Sequence, residues 1–397
     1  MVVHKSQEIS FIPYGKQELL EEDISSVVEV LKSEYLTQGP SVAEFEKTIT
    51  KIVGAGYGVA VNSATAALHI ACLALGLKEG DRVWTSTISF VASANCAKYC
   101  GATVEFLDID YDTFNVCVKK LEEALLVAER YGTLPKIVIP VAMCGQSAPM
   151  SEIHRLSKRF NFKIIEDASH AIGGKYKGKS IGGHRYADIT VFSFHPVKII
   201  TSGEGGIAVT HSCELADKMR LLRSHGIVRE LKDLVGKKDG DWYYEQVELG
   251  FNYRLSDIHA ALGSSQAQRL PSIIERRQEL ANLYDDALRD LPIDLPKVSD
   301  ENISSWHLYV IRLRSDDMDI KRMFFDEMRL NGIGVQVHYI PIHLHPYYHK
   351  NQAYDEYFPN AMKYYRNAVT IPLFPSITAD QQKFVINNIK ASLEKLV

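Results

Sequence analysis

The chain has 397 residues, 46% of them hydrophobic and 24% charged, enough to bury an extensive core as one large and one smaller domain. A formal net charge of −4 leaves no basic footprint for phosphate backbones, so nucleic acid is excluded as the expected partner. Nowhere do about 18 apolar residues run together as a membrane span requires, and MVVHKSQEISFIPYG lacks the charged start and apolar run of a secretory signal, so a cytoplasmic location away from membranes is expected.

From Asp23 to Thr210 helical periodicity alternates with short β-branched runs, the pattern of a parallel sheet covered by helices. Segment 24–31 sets Ile24, Val27, Val28 and Leu31 on one helical face. Strands are predicted at 57–61, 82–86, 103–107, 136–141, 162–166, 188–194 and 206–210, with an alanine- and leucine-rich helix suited to burial at 63–77. GAGYG at 54–58 resembles a glycine-rich nucleotide loop. A dinucleotide fingerprint follows a strand and opens a helix, however, whereas here a helical segment precedes the glycines and VAV follows them. The six cysteines contain no C-x-x-C pair, and several sit among apolar neighbours, so they read as reduced. Beyond a polar, glycine-containing loop at 229–241 come two long helices at 255–268 and 272–290. A strand-like WHLYVIRL at 306–313, a helix, the strand-like GVQV at 334–337 and a last helix complete a mixed α+β pattern. This divides the chain into a large domain at 21–250 and a smaller one at 251–397 together with 1–20.

Three strand ends carry chemistry. YGVAV runs into Asn62, Ser63, Ala64 and Thr65 and then a helix, so first-turn amides and two hydroxyls point where an anion could sit; a plain N-cap by Ser63 accounts for the same residues. IIEDASHA at 164–171 puts Glu166, Asp167 and His170 beyond a buried strand. They suit a metal, or a carboxylate held against a heterocyclic cation. VFSFHPVKIITSGEGG at 191–206 carries Ser193 and Lys198. The apolar Val197, Ile199 and Ile200 around Lys198 would lower its pKa and make the amine a nucleophile toward an aldehyde. An anion site, a carboxylate and a lysine together match the phosphate, pyridine nitrogen and aldehyde of pyridoxal 5'-phosphate (PLP). His338, His343, His345 and His349 cluster late in the chain, but no H-E-x-x-H or paired cysteine accompanies them, so no metal is expected there; a substrate-facing loop or plain exposure fits better.

With these motifs the sequence resembles the DegT/DnrJ/EryC1/StrS sugar aminotransferases over nearly its whole length, through LTQGP at 36–40, NSATAAL at 62–68, SFVASAN at 89–95, EDASHA at 166–171, FSFHPVK at 192–198, GEGG at 203–206, RSHGI at 223–227, NYRL at 252–255 and VQVHYIPIH at 335–343. The resemblance implies an α/β protein with the type I PLP-dependent aminotransferase fold, like that of aspartate aminotransferase. It implies that Lys198 forms the Schiff base and shuttles the proton, that Asp167 pairs with the pyridine nitrogen, and that His170 lies near the phenolic oxygen. Phe90 would stack on the ring, while Ser63, Ala64, Thr65, Ser193 and, from the second subunit of a homodimer, Asn252 would hold the phosphate. Tyr14, Thr37, His338 and Tyr339 match sugar-site positions, and VAMCGQ at 141–146 departs from many relatives in having Ala142 where they carry histidine.

The implied reaction moves an amino group from L-glutamate to C4 of a UDP-linked 4-keto-6-deoxy-N-acetylhexosamine, as in pseudaminic acid biosynthesis. Amination of another nucleotide-linked 4-keto sugar, of the perosamine or 4-amino-4-deoxy-arabinose type, would use the same cofactor residues. A PLP-dependent sugar 3-dehydratase would replace the lysine by histidine, against which Lys198 stands. A non-catalytic regulator would keep only the fold.

Overall fold

The predicted alternation of strand and helix appears in the computed structural model as one large sheet with helices on both faces. The structure describes residues 11–349 and 352–396, so residues 1–10 of the segment 1–20 grouped with the smaller domain lie outside it. Strands Tyr57–Val61 (β1), Arg82–Ser86 (β2), Thr103–Leu107 (β3), Ile137–Ile139 (β4), Lys163–Asp167 (β5), Ile189–Ser193 (β6) and Gly206–Thr210 (β7) lie in the order β1-β7-β6-β5-β4-β2-β3. The five from β3 to β6 are mutually parallel, and near-continuous Val and Ile runs suit them because both faces are covered. The helix Ala64–Ala74 is buried almost all round, as its alanine-rich sequence requires.

β7 runs antiparallel to both its neighbours, β1 and β6. Its first residue, Gly206, therefore sits opposite Val61 and Ser193, the last residues of those strands. A Cβ at Gly206 would lie 2.4 Å from the Ala64 amide nitrogen and 2.5 Å from the Ser63 carbonyl carbon. Only glycine lets β7 approach the start of that helix so closely. The glycines at 54–58 have a different use: Gly54, with φ +78°, caps the helix Pro40–Val53 in the left-handed region.

A second antiparallel sheet, of Ile293–Asp294 (β8), Tyr309–Leu313 (β9) and Ala368–Ile371 (β10), has its own core of Ile12, Tyr284, Phe324, Val385 and Ile389 with their neighbours. GVQV at 334–337 is not a strand of it. Gln336 makes a single bridge to Thr370, while the Gly334 amide is drawn to the Ile12 carbonyl at 2.6 Å, so the segment is shared between two partners. β10 was not visible in the sequence because it follows the helix Pro359–Asn367 with no intervening turn. The helix Asp257–Gln268 packs Ala260 and Ala267 into the cluster beside the large sheet.

The helix Glu21–Leu31 departs from its expected orientation. Its buried residues are Asp23 and Val30, whereas Ile24 is 49% and Leu31 55% exposed. The reason is polar: Asp23 accepts hydrogen bonds from Ser265 Oγ (2.6 Å), Gln266 Nε2 (2.7 Å) and Arg269 Nη2 (2.5 Å), turning the acidic side inward. Replacing Gly206 by alanine should cost about 1–3 kcal/mol through overpacking against a backbone with no room to yield, measured as a lower urea midpoint at unchanged m-value.

Candidate active site

β1 delivers the chain into the helix Ala64–Ala74 through Ser63, which is its N-cap. The Ser63 side chain accepts from the Ala66 amide at 3.1 Å, and the Ala67 amide closes on the Ser63 carbonyl at 3.0 Å. The Ala64 and Thr65 amides have no partner within the helix, so they and the positive end of the helix dipole are left for an anion. Ser63 thus both caps the helix and lines the cavity.

β5 separates its two acids by strand alternation. Glu166 accepts from Ser147 Oγ (3.0 Å) and Thr190 Oγ1 (3.1 Å) and lies 3.1 Å from His184 Nε2, all in the interior. Asp167 instead lines the cavity, with only 4% of its surface exposed. The two carboxylates therefore do not share a site, and among the described residues no His, Cys, Asp and Glu group is arranged to hold a metal ion. Asp167 accepts from Ser93 Oγ (2.6 Å), Ser169 Oγ (2.6 Å) and the Ser169 amide (3.1 Å).

β6 ends at Ser193, and five residues on Lys198 returns its amine to the same space. Burial of that amine lowers its pKa to about 8, with the negative charge of Asp167 opposing the shift. Around it are imidazoles kept neutral. Burial, then the charges of Lys198 and His338, hold His170 well below its ordinary value; burial and Lys198 lower His338 to about 3. His170 Nε2 lies 3.0 Å from the Tyr339 hydroxyl, while its buried Nδ1 has no hydrogen-bond partner among the described residues. His338 Nδ1 lies 2.8 Å from Thr370 Oγ1, and its ring is 5.1 Å from that of Tyr14. Phe90, 57% exposed, forms part of the cavity wall 6.1 Å from the Tyr339 ring.

The cavity holds about 300 Å³ and gathers Ser63, Ala64, Thr65, Phe90, Asp167, His170, Ser193, Lys198, Tyr14, His338 and Tyr339. Asn252 and Thr37 are absent from its lining. Both are exposed on the surface, where Asn252 bridges to Ser224 and Thr37 to Ser256. His343, grouped in the sequence with exposed or substrate-facing histidines, is fully buried, with Nδ1 2.5 Å from Thr87 Oγ1. Ala142 is buried beside the site without lining it.

Sequence reasoning missed Ser93, whose contact with Asp167 joins segments 74 residues apart, Ser169, which turns back onto Asp167 from two residues further on, and His307. His307 stands just before β9, lines the cavity, and packs its ring 4.4 Å from that of His170, with its Nδ1 unpartnered. Burial, then the charges of His170 and Lys198, hold it well below its ordinary value. Its signal was present in WHLYVIRL, where a polar ring opens an apolar strand. Arg277, itself buried, donates to the carbonyls of Trp306 (3.0 Å) and Leu373 (3.2 Å) and so fixes the backbone behind this ring.

Comparison with known proteins identifies the family. The model of the DegT/DnrJ/EryC1/StrS aminotransferase family matches residues 17–390. The UDP-4-amino-4,6-dideoxy-N-acetyl-beta-L-altrosamine transaminase of Campylobacter jejuni is 40% identical over 387 residues, 97% of this chain and 98% of that protein. Among solved structures, Helicobacter pylori PseC, an aminotransferase of pseudaminic acid biosynthesis, superposes with a TM-score of 0.88 at 31% identity, covering 97% of this chain and 100% of that one. Spr1654 of Streptococcus pneumoniae in its PMP-form gives 0.87 at 29% identity, over 97% of this chain and 100% of that one. Its PLP-form gives 0.85 at 28%, over 98% and 100%. A parallel sheet with a single reversed strand, an amine facing a buried carboxylate, and a family match that spans nearly the whole length lead to one conclusion: the chain belongs to the DegT/DnrJ/EryC1/StrS aminotransferase family.

Proposed function

We propose that this aminotransferase moves an amino group from L-glutamate to C4 of a UDP-linked 4-keto-6-deoxy-N-acetylhexosamine, an amination step toward pseudaminic acid. The observation that carries amino transfer is the convergence of Lys198, Asp167 and the Ala64–Ala74 helix N-terminus on one cavity. The acceptor rests on the reaction named for the 40% identical relative.

The site fits PLP by its donor set: two free first-turn amides for a phosphate, one amine near neutrality for an aldehyde, and an unpartnered His170 Nδ1 for a phenolic oxygen. PLP supplies that aldehyde and a cationic ring that withdraws electrons from the carbon being deprotonated. Asp167 would hold the proton of the ring nitrogen, Phe90 would cover the ring, and Ser63, Ala64, Thr65 and Ser193 would bind the phosphate. Lys198 would hold the aldehyde carbon through its amine and would carry a proton to or from sugar C4, a general-base role typically worth about 10²- to 10⁴-fold. Tyr14, His338 and Tyr339 face the sugar. They come from the 1–20 and 251–397 part, while the lysine and carboxylate come from the 21–250 part, so a site between the two domains suits a two-part substrate.

A second copy of the chain completes the site. Leu19, Ile24, Leu31, Tyr35 and Leu36 are exposed apolar side chains along one stretch of chain, which a second copy would cover, and Thr37 follows directly on it. In the proposed homodimer Asn252 reaches the phosphate bound by the other copy, and Thr37 lies near its sugar. No helix among the described residues is long and apolar enough to cross a membrane, and soluble substrates suit a cytoplasmic enzyme.

Three outcomes test these roles. Covalent capture of PLP by the apoprotein should rise with pH through about 8 and then level, since only the neutral amine attacks, and borohydride should fix no cofactor on Lys198→Ala. Capture independent of pH, or label on the variant, removes Lys198 from the role. Asp167→Asn should still bind PLP covalently but lose at least about 100-fold in turnover with glutamate and the UDP-4-keto sugar, because an amide cannot hold the ring proton. For the dimer, Lys198→Ala and Asn252→Asp should each be inactive alone, the second because a carboxylate repels the phosphate. Mixed under subunit exchange they should regain activity, because one site of each mixed dimer is then intact. Proven exchange without recovery rules out the shared site.

A further inference from the structure

The Asp167 carboxylate offers about four acceptor positions, two on each oxygen. Both positions on Oδ1 are taken, by the Ser169 amide at 3.1 Å and the Ser169 hydroxyl at 2.6 Å. Oδ2 receives the Ser93 hydroxyl at 2.6 Å, and among the described residues nothing else donates to it. One acceptor position therefore stays open, and it is on Oδ2. Ser93 is fully buried and does not line the cavity, so it has no direct contact to make with a ligand. Its single proton is committed to Asp167, so in the 2.7 Å contact with Ser89 it is Ser89 that donates. The result is a one-way chain, Ser89 to Ser93 to Asp167, along SFVASAN and into β5.

We infer that Ser93 and Ser169 are positioning residues that hold Asp167 as an oriented anion, and that Oδ2 is the oxygen presented to the protonated ring nitrogen of the cofactor. This rests on the function proposed above. Hydrogen bonds donated to a carboxylate favour its charged form, and a buried carboxylate beside an N–H cation can exist either as an ion pair or as a neutral pair with the proton on oxygen. The serine donors tip that choice toward the ion pair. Without Ser93 the contacting oxygen loses its one donor among the described residues, and the balance should move toward the neutral pair. Without the Ser169 hydroxyl, Oδ1 still has the Ser169 amide, so the effect is smaller.

The test reads the ring nitrogen directly. The enzyme is loaded with PLP carrying ¹⁵N in the ring, and the nitrogen resonance is recorded by NMR, because protonated and bare pyridine nitrogens resonate far apart. Wild type should show the protonated position. S93A should move toward the bare position and lose roughly 10- to 100-fold in turnover, the range for a hydrogen bond to a charged group, at little changed KM for glutamate. S169A should move less, and S93T, which keeps a hydroxyl, should stay with wild type. If S93A does not fold, S169A and S93T still decide: the first must shift toward the bare position and the second must not. A folded, cofactor-loaded S93A with the wild-type resonance overturns the positioning role, and a larger shift in S169A than in S93A overturns the choice of Oδ2. Wild type that fails to take up PLP would instead remove the proposed function, and this assignment with it.

Discussion

A carboxylate that is 4% exposed has to be matched by donors or neutralised, and much of the candidate site is arranged around that requirement at Asp167. Its partners come from three places in the chain: Ser93 from the helix Ala92–Tyr99, Ser169 from the turn after β5, and the Lys198 charge from the loop after β6. The two serines are short side chains, so the contacts they make fix the carboxylate closely. Glu166, one residue earlier, solves the same problem separately with Ser147, Thr190 and His184. Strand alternation keeps the two negative charges on opposite faces, where neither raises the cost of the other.

Around this anion the other ionisable groups are set near or away from charge by burial. The three nearby histidines, 170, 307 and 338, are all held neutral, partly because each feels the Lys198 cation. Lys198 itself sits at about 8, between the desolvation that would neutralise it and the carboxylate that would keep it charged. Neutral imidazoles can donate or accept without bringing a further charge into a small cavity. A cluster of this kind is suited to moving protons, and two of its members, His307 and His338, come from the second half of the chain.

The reversed strand β7 has a comparable structural role. By running against β1 and β6 it places a residue without a side chain beside the last residues of both, and Gly206 gives the Ala64 amide the room it needs. The anion site and the lysine loop are thereby brought to one edge of the sheet. The same geometry leaves the Glu21–Leu31 helix with its apolar stripe outward, because Asp23 and its three side-chain donors claim the inward side.

The sequence by itself determined the strands of the large sheet, because buried parallel strands are written as short apolar runs that end in polar turns, and all seven appear within a residue or two of where periodicity puts them. It also marked Ser63, the Glu166–Asp167 pair, His170 and Lys198, since each lies at or within a few residues of the end of such a run. Tertiary structure alone decided the rest. Which of two adjacent acids faces the cavity depends on the neighbours of β5, and the face that Glu21–Leu31 buries depends on donors more than 240 residues away. That β7 runs antiparallel could not be read from five residues, because strand direction leaves no periodicity. Ser93 left no signal, and the polar ring of His307 was visible in WHLYVIRL without its role: a hydroxyl or an imidazole in an apolar segment acquires a role only when folding brings Asp167 or His170 within contact distance. Periodicity records which face of an element is buried, and it carries no information on what is buried against it.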